Sequence, residues 1–328
     1  MVEQYTYAVS RIHARELDLL SSSDLEQLLI CPDFETALKY LTEKGYGIKD
    51  NYRSFEELEK DETEKMWELI NELIPDKTPF ETLLRQIDFH NLKAAIKSVF
   101  TAEEAEGYFL RGGTVEPQVI LNAVKIKNYS ELPEFLSGTA VEATEKFAET
   151  GIRDRTGDGQ ECDIYIDRRC LETILSEGTA SDVSIIKDYA ELFVALSDIK
   201  IAARGALTKK SKGFMQRALA ECETLDVDTL AAAAGKSIND VYKYLEHTNY
   251  KEAAEKLSVS MSEFEKWTDN KIMDLIKSQK SNPFTVAPIF SYILAKQNEL
   301  KAVQIILSGK KNTLPDELIR ERIRDLYV

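Results

Sequence analysis

Glycine and proline are scarce, with 14 and 8 among 328 residues. Chains that turn often between strands need more of both, so the shortage speaks against an all-β fold and for helices. Cysteine is rarer still. Cys31, Cys162, Cys170 and Cys222 are too scattered for a disulfide framework, and no CxxC pair offers a zinc or redox site, so free thiols in a reducing compartment are expected. Only three histidines occur, His13, His90 and His247, and none has HExxH or comparable metal spacing. No apolar run approaches the ~18–20 residues that cross a bilayer. The opening MVEQYTYAVSRIHARELDLL is charged throughout and lacks the apolar core of a secretory signal. Positive charge is also short: 42 Lys and Arg against 57 Asp and Glu leave a net charge of −15. Such a surface repels polyanions, so nucleic acid is not an expected partner, whereas a basic protein surface is.

What is present is enough apolar material for a core, at 43% hydrophobic residues beside 30% charged ones. Helical spacing recurs along the chain. Leu25, Leu28 and Leu29 share a face behind an N-cap region of serines and Asp24. Phe34, Leu38 and Leu41 follow Pro32, and Gly45 and Gly47 close that unit. Met66, Leu69, Ile70 and Leu73 form another stripe, and Phe80 to Val99 read as one long buried helix. Only Cys162–Asp167 alternates as a strand would, and one strand cannot build a sheet. The expected fold class is all-α.

A weak internal repeat gives the organisation. DFHNLKAAI from Asp88, DIKIAARGA from Asp198 and ELKAVQIIL from Glu299 each begin with a carboxylate, and each follows an apolar stretch. These carboxylates stand 110 and 101 residues apart, about a third of the chain. Upstream, Leu20/Leu25, Val115/Ile120 and Leu225/Leu230 form a second recurring pair, followed by Phe34/Leu38/Leu41, Tyr129/Leu132/Leu136 and Ile238/Val241/Leu245. Three helical repeats are expected, over 1–110, 111–220 and 221–328, with the excess length of the middle copy in the polar stretch around Thr150–Glu161.

Residues 53–72 carry eight acids against three bases, and 131–163 nine against three. Lys200, Arg204, Lys209, Lys210, Lys212 and Arg217 form a basic run without an acid, read as a solvated helix face or a docking patch.

Strings that hint at chemistry fail on inspection. AAAAGKS at 231–237 ends like a phosphate loop, but Leu230 stands where a turning glycine is required, and four alanines favour helix over a nest of free N–H groups. Asp154 to Glu161 begins like a calcium loop, yet its twelfth position is Tyr165 rather than a bidentate Glu. No GxSxG elbow, Cys–His signature or DDxxD pair is present. The expected site content is therefore no catalytic residue, no cofactor and no metal.

The opening YAVSRIHARELDLLSSSDLEQLL followed by PDFETALKYL, with Arg11 and Arg15 spaced after the tyrosines, resembles the C-subunit family of V-type and A-type ATPases, which includes the eukaryotic d subunit. Ile305-Ile306-Leu307, Gly309-Lys310 and LPDELIRERIRDLYV at the other end support the match, as do the three carboxylate-led segments. Ile201 and Ala302 stand where the first copy has Asn91, a departure from the pattern. The resemblance implies a funnel-shaped protein of three similar helical lobes and a non-catalytic part of the central stalk. Its implied partners are the D/F shaft, whose end it receives, and the membrane proteolipid ring. The implied place is the cytoplasmic side of the membrane without insertion into it, in the service of proton or sodium transport. A free-standing helical interaction scaffold is the alternative, although solenoid repeats of ~34–47 residues are shorter than the spacing here.

Overall fold

The computed structural model describes residues 2–49, 52–101, 106–150, 159–278 and 284–328. Every regular element among the described residues is helical. Apart from two single-turn 3₁₀ helices, Thr78–Phe80 and Glu106–Tyr108, these are in order α1 Val2–Glu16, α2 Ser22–Ile30, α3 Phe34–Glu43, α4 Phe55–Leu73, α5 Glu81–Thr101, α6 Pro117–Ile126, α7 Glu134–Thr150 and α8 Gly159–Ala180. They continue with α9 Ser184–Leu207, α10 Lys212–Ala218, α11 Val227–Ala234, α12 Ile238–Leu245, α13 Lys251–Val259, α14 Met261–Lys277, α15 Ala287–Lys311 and α16 Asp316–Arg320. The fold is all-α. The one strand-like stretch, Cys162–Asp167, lies inside α8, where Cys162, Ile166, Cys170 and Ile174 fall four apart on a single buried stripe. A stripe sustained over 13 residues outweighs six residues of alternation.

The helices gather into two compact units, one of residues 1–79, 183–185 and 255–328 and the other of residues 80–182 and 186–254. In the first unit α15 is the hub. Of its 25 residues, 18 are buried, spread around the whole helix rather than on one stripe, as expected of a helix packed on all sides. It touches α1, α2, α3, α4, α14 and α16. Leu28, Leu29, Leu41, Val303, Ile306 and Leu307 sit fully enclosed where α2 and α3 meet it. Each such side chain contributes about 1.5–3 kcal/mol by leaving water. In the second unit α5 plays the corresponding part against α6, α7 and α8, and α10, α11 and α12 follow one another in contact.

The short helices repeat in register. Leu20, Val115 and Leu225 each precede the N-cap residue of α2, α6 and α11, and all three are buried. Leu25, Ile120 and Leu230, five residues on, are buried as well. The caps differ in quality. Ser21 and Asp24 form a reciprocal capping box, with the Asp24 N–H donating to Ser21 Oγ at 3.2 Å and the Ser21 N–H to Asp24 Oδ2 at 2.9 Å. Asp226 accepts from the Thr229 N–H at 2.9 Å. Glu116 makes no capping bond, and α6 relies on Pro117 in its first turn.

Candidate functional site

Asp88, Asp198 and Glu299 lie within three long helices, α5, α9 and α15, and none is more than 2% exposed. Each accepts a hydrogen bond from a backbone N–H of the segment that leads toward a short helix. Asp88 Oδ1 takes the Val115 N–H at 3.1 Å, Asp198 Oδ1 takes the Ala220 N–H at 3.1 Å, and Glu299 Oε2 takes the Leu20 N–H. The sequence repeat is therefore a repeated joint: a carboxylate inside a long helix holds the entry to a helical hairpin. At Asp198 the bond falls on Ala220, five residues before Leu225, because a non-helical stretch that bends at residues 223–225 intervenes before α11.

Two of these joints carry a cation one turn earlier. Arg85 Nη1 donates to Asp88 Oδ2 at 3.3 Å and to Thr114 Oγ1 at 2.9 Å, and the Thr114 hydroxyl donates to Asp88 Oδ2 at 2.6 Å. Arg85 also reaches Glu81 at 2.6 Å and both oxygens of Glu177 at 2.8 Å, while its guanidinium lies 3.7 Å from the centre of the Phe135 ring. Burial pushes the Glu177 carboxyl above its ordinary value even though Arg85 opposes this.

Lys296 does for Glu299 what Arg85 does for Asp88. Its Nζ lies 2.8 Å from Glu299 Oε1 and 2.7 Å from Glu62 Oε2, and 4.0 Å from the centre of the Tyr46 ring. The Tyr46 hydroxyl donates to Glu299, and Glu62 also receives the Gly47 N–H and Lys65 Nζ, each at 2.7 Å. Burial disfavours charge on Lys296, but Glu299 and Glu62 outweigh it and raise the ammonium above its ordinary value. Glu62 is held low in the same contest, burial losing to Lys296 and Lys65. Burial and the Glu299 charge push Tyr46 well up. A buried cation paired, hydrogen-bonded and covered by an aromatic face is the form in which interior charge is tolerated.

The middle joint has no such partner. Ala195 stands three residues before Asp198, where the others have Arg85 and Lys296. Asp198 Oδ2 is buried without a hydrogen-bond partner, and burial raises this carboxyl well above its ordinary value. The sequence pattern marks the three carboxylates but not Arg85, Lys296, Glu62 or Glu177. The i−3 cations are visible in RQID and KQNE set beside ALSD, whereas the helix-to-helix partners have no local signal.

Asn91, singled out as the polar residue without counterparts, bonds both ways with the Leu110 backbone, at 2.8 and 2.9 Å. Ile201 is partly buried and Ala302 fully so, and neither side chain can make such a bond. In the GKS string, Gly235 ends α11, and a Cβ on it would lie 2.8 Å from the Lys212 backbone nitrogen. Close packing, not a phosphate cradle, accounts for that glycine. Of the calcium-like loop, residues 154–158 fall outside the described residues; Glu161 pairs with Arg217 at 2.7 Å and the Tyr165 hydroxyl donates to Glu142 at 2.7 Å. The stretch assigned the middle copy's excess length lies mostly outside the described residues too.

Within the basic run, Lys210 reaches Gln160 at 2.5 Å and Arg217 reaches Glu161. The adjoining depression, of about 620 Å³, is lined by Lys146, Glu161, Tyr165, Arg168, Glu172 and Arg217. Arg168 and Glu172 close on each other at 2.7 Å, so the charges of this hollow are largely answered from within. His13 pairs with Glu16 at 2.7 Å, and His90 Nε2 lies 2.9 Å from the Tyr108 carbonyl. Among the described residues no group of three His, Cys, Asp or Glu side chains could hold a metal ion, and no helix is long and apolar enough to cross a membrane.

Among the described residues, these features define an all-helical protein whose buried carboxylates and their cations join its own helices. The sequence from residue 8 to residue 322 matches the family described as ATP synthase (C/AC39) subunit, and the chain belongs to that family, a non-catalytic structural component of rotary ATPases. It is 24% identical to the C subunit of the V-type sodium ATPase of Enterococcus hirae over 96% of this chain and 97% of that protein. It is 25% identical to the C subunit of the A-type ATP synthase of Methanocaldococcus jannaschii, over 98% of this chain and 86% of the relative. The corresponding A-type ATP synthase protein of Haloquadratum walsbyi is 21% identical, with 96% of each chain covered.

Proposed function

We propose that this chain is the rotor adaptor of a V/A-type ATPase. It sits on the cytoplasmic side of the proteolipid ring, receives the end of a D/F-type central shaft and passes torque between them, coupling ATP turnover to proton or sodium movement. Three similar helical lobes, near 1–110, 111–220 and 221–328, form the funnel that takes the shaft. The chain contributes no catalytic residue, cofactor or metal of its own. The family match over residues 8–322 carries this reading.

Two physical features support it. A part that transmits torque must resist sliding of helix on helix, and directional buried ion pairs add to the resistance of close packing. Arg85 ties α5 to α8 through Glu177, and Lys296 ties α15 to α4 through Glu62. The charge of −15 suits a basic shaft end, and such attraction accelerates docking more than it tightens it.

The test is association with a purified D/F-type shaft complex, followed by surface plasmon resonance from low to high salt. The association rate constant is expected to fall at least ~tenfold as the Debye length shrinks from about 30 Å to about 3 Å. A rate that ignores salt would make the socket apolar. Failure to bind any shaft complex would reject the adaptor and leave the free-standing scaffold.

A further inference from the structure

The middle joint differs from its two counterparts in a way that gives it a separate behaviour. Asp198 is fully enclosed on α9, its Oδ1 holds the Ala220 N–H at 3.1 Å, and its Oδ2 has no hydrogen-bond partner. The cation that neutralises Asp88 and Glu299 is replaced by Ala195, itself buried, so none can reach the carboxyl from that turn. The charged groups facing it from neighbouring elements are few. Arg168 on α8 is committed to Glu172 at 2.7 Å and to the Gln216 carbonyl at 3.1 Å. Glu191, two turns earlier on α9, is an acid held by the Thr224 N–H and hydroxyl, and opposes a second negative charge. Cys222, in the non-helical stretch after Ala220, is a thiol pushed up to about 12 by burial, and so is neutral.

We propose that the joint between α9 and the segment entering α11 is a proton-held latch: Asp198 closes it as a neutral carboxylic acid, and loss of that proton opens it. The neutral acid keeps one oxygen for the Ala220 N–H and carries the proton on the other, enclosed where burial disfavours an anion more than the Ala220 N–H and the Arg168 charge favour it. Ionisation places an unpaired charge in that pocket, which is relieved by parting the Ala220 segment from α9 and admitting water. The sign follows from the folded group holding its proton more tightly than the opened one. Closure is strongest below the carboxyl's ordinary value near 3.8 and is lost as pH rises toward the value in the closed state. The joints at Asp88 and Glu299, each with its own cation, do not share this response. The inference rests on the fold alone and stands whether or not the rotor role does.

The test is native-state amide hydrogen exchange on the full chain between pH 5 and pH 9, corrected for the intrinsic rate. Protection of the Ala220 amide is expected to fall by up to about tenfold per pH unit, until the closed-state carboxyl itself ionises. The Val115 and Leu20 amides, held by Asp88 and Glu299, serve as internal references and are expected to keep theirs. Asp198→Asn, which accepts the same bond but cannot ionise, is expected to make Ala220 protection independent of pH. Equal pH responses at Ala220, Val115 and Leu20 in the unmodified protein would overturn the proposal, as would a pH-dependent Ala220 in Asp198→Asn. If that variant does not fold, the comparison of three amides within the unmodified chain decides alone.

Discussion

Asp88 and Asp198 both lie buried in long helices of one unit, and each grips a backbone N–H, yet only Asp88 has a cation one turn before it. The contrast separates two jobs that the first joint performs at once. Holding the entry of a helical hairpin needs only a buried acceptor, which a neutral acid supplies. Binding several helices together needs charge, and Arg85 recruits Glu81 and Glu177 for it. Glu299 with Lys296 repeats the charged version in the other unit, with Glu62 as the second carboxylate. A joint held by a neutral acid costs less desolvation and ties fewer elements than one built around a cation.

Removing a cation breaks the contrast most severely. Lys296→Ala leaves Glu62 and Glu299 buried without their shared partner, and a loss of about 3–5 kcal/mol is expected. Both tryptophans, Trp67 and Trp267, belong to this unit, so denaturant unfolding followed by tryptophan fluorescence reads it directly. Acid reaches the same cluster by another route. Glu62 is held below its ordinary 4.5, so its stabilisation is complete above about that pH and is lost as pH falls through the lowered folded value. Fluorescence-detected stability of this unit is therefore expected to fall on acidification, the opposite of the response of the Ala220 latch.

Smaller changes sharpen the comparison. A Cβ on Gly113 would lie 2.4 Å from Asp88 Oδ1, so Gly113→Ala must displace the carboxylate from its partners. A loss of about 1–3 kcal/mol is expected, together with faster exchange of the Val115 amide. The caps offer the smallest test. Ser21→Ala should cost about 1 kcal/mol, whereas Glu116→Ser, which supplies the capping oxygen α6 lacks, should gain about 0.5 kcal/mol in thermal or denaturant unfolding.

Much of this architecture was legible in the sequence because it lives in short-range pattern. The repeated Leu20, Val115 and Leu225 each mark an N-cap, and the carboxylates of the three long helices could be found by spacing alone. What escaped was set by tertiary pairing. Glu62 and Glu177 look like ordinary members of acidic helices until Lys296 and Arg85 arrive from residues far along the chain. Cys162–Asp167 alternates as a strand would only because six residues can satisfy two periods at once, and the longer stripe through Cys170 and Ile174 decides. The basic run at 200–217 gave no hint that Arg217 would be answered by Glu161, 56 residues earlier.

The bond from Leu20 to Glu299 spans 279 residues. On a ribosome adding ~5–20 residues per second, roughly 14–56 s separate the appearance of those two groups. During that interval the leucines of α2 and α3 have no α15 to cover them, while residues 80–182 and 186–254, apart from the three residues between them, are already a sequence that can close on itself. Synthesis thus delivers every residue of the second unit before α15 is complete, and the helices made earliest wait longest for the partner that covers them.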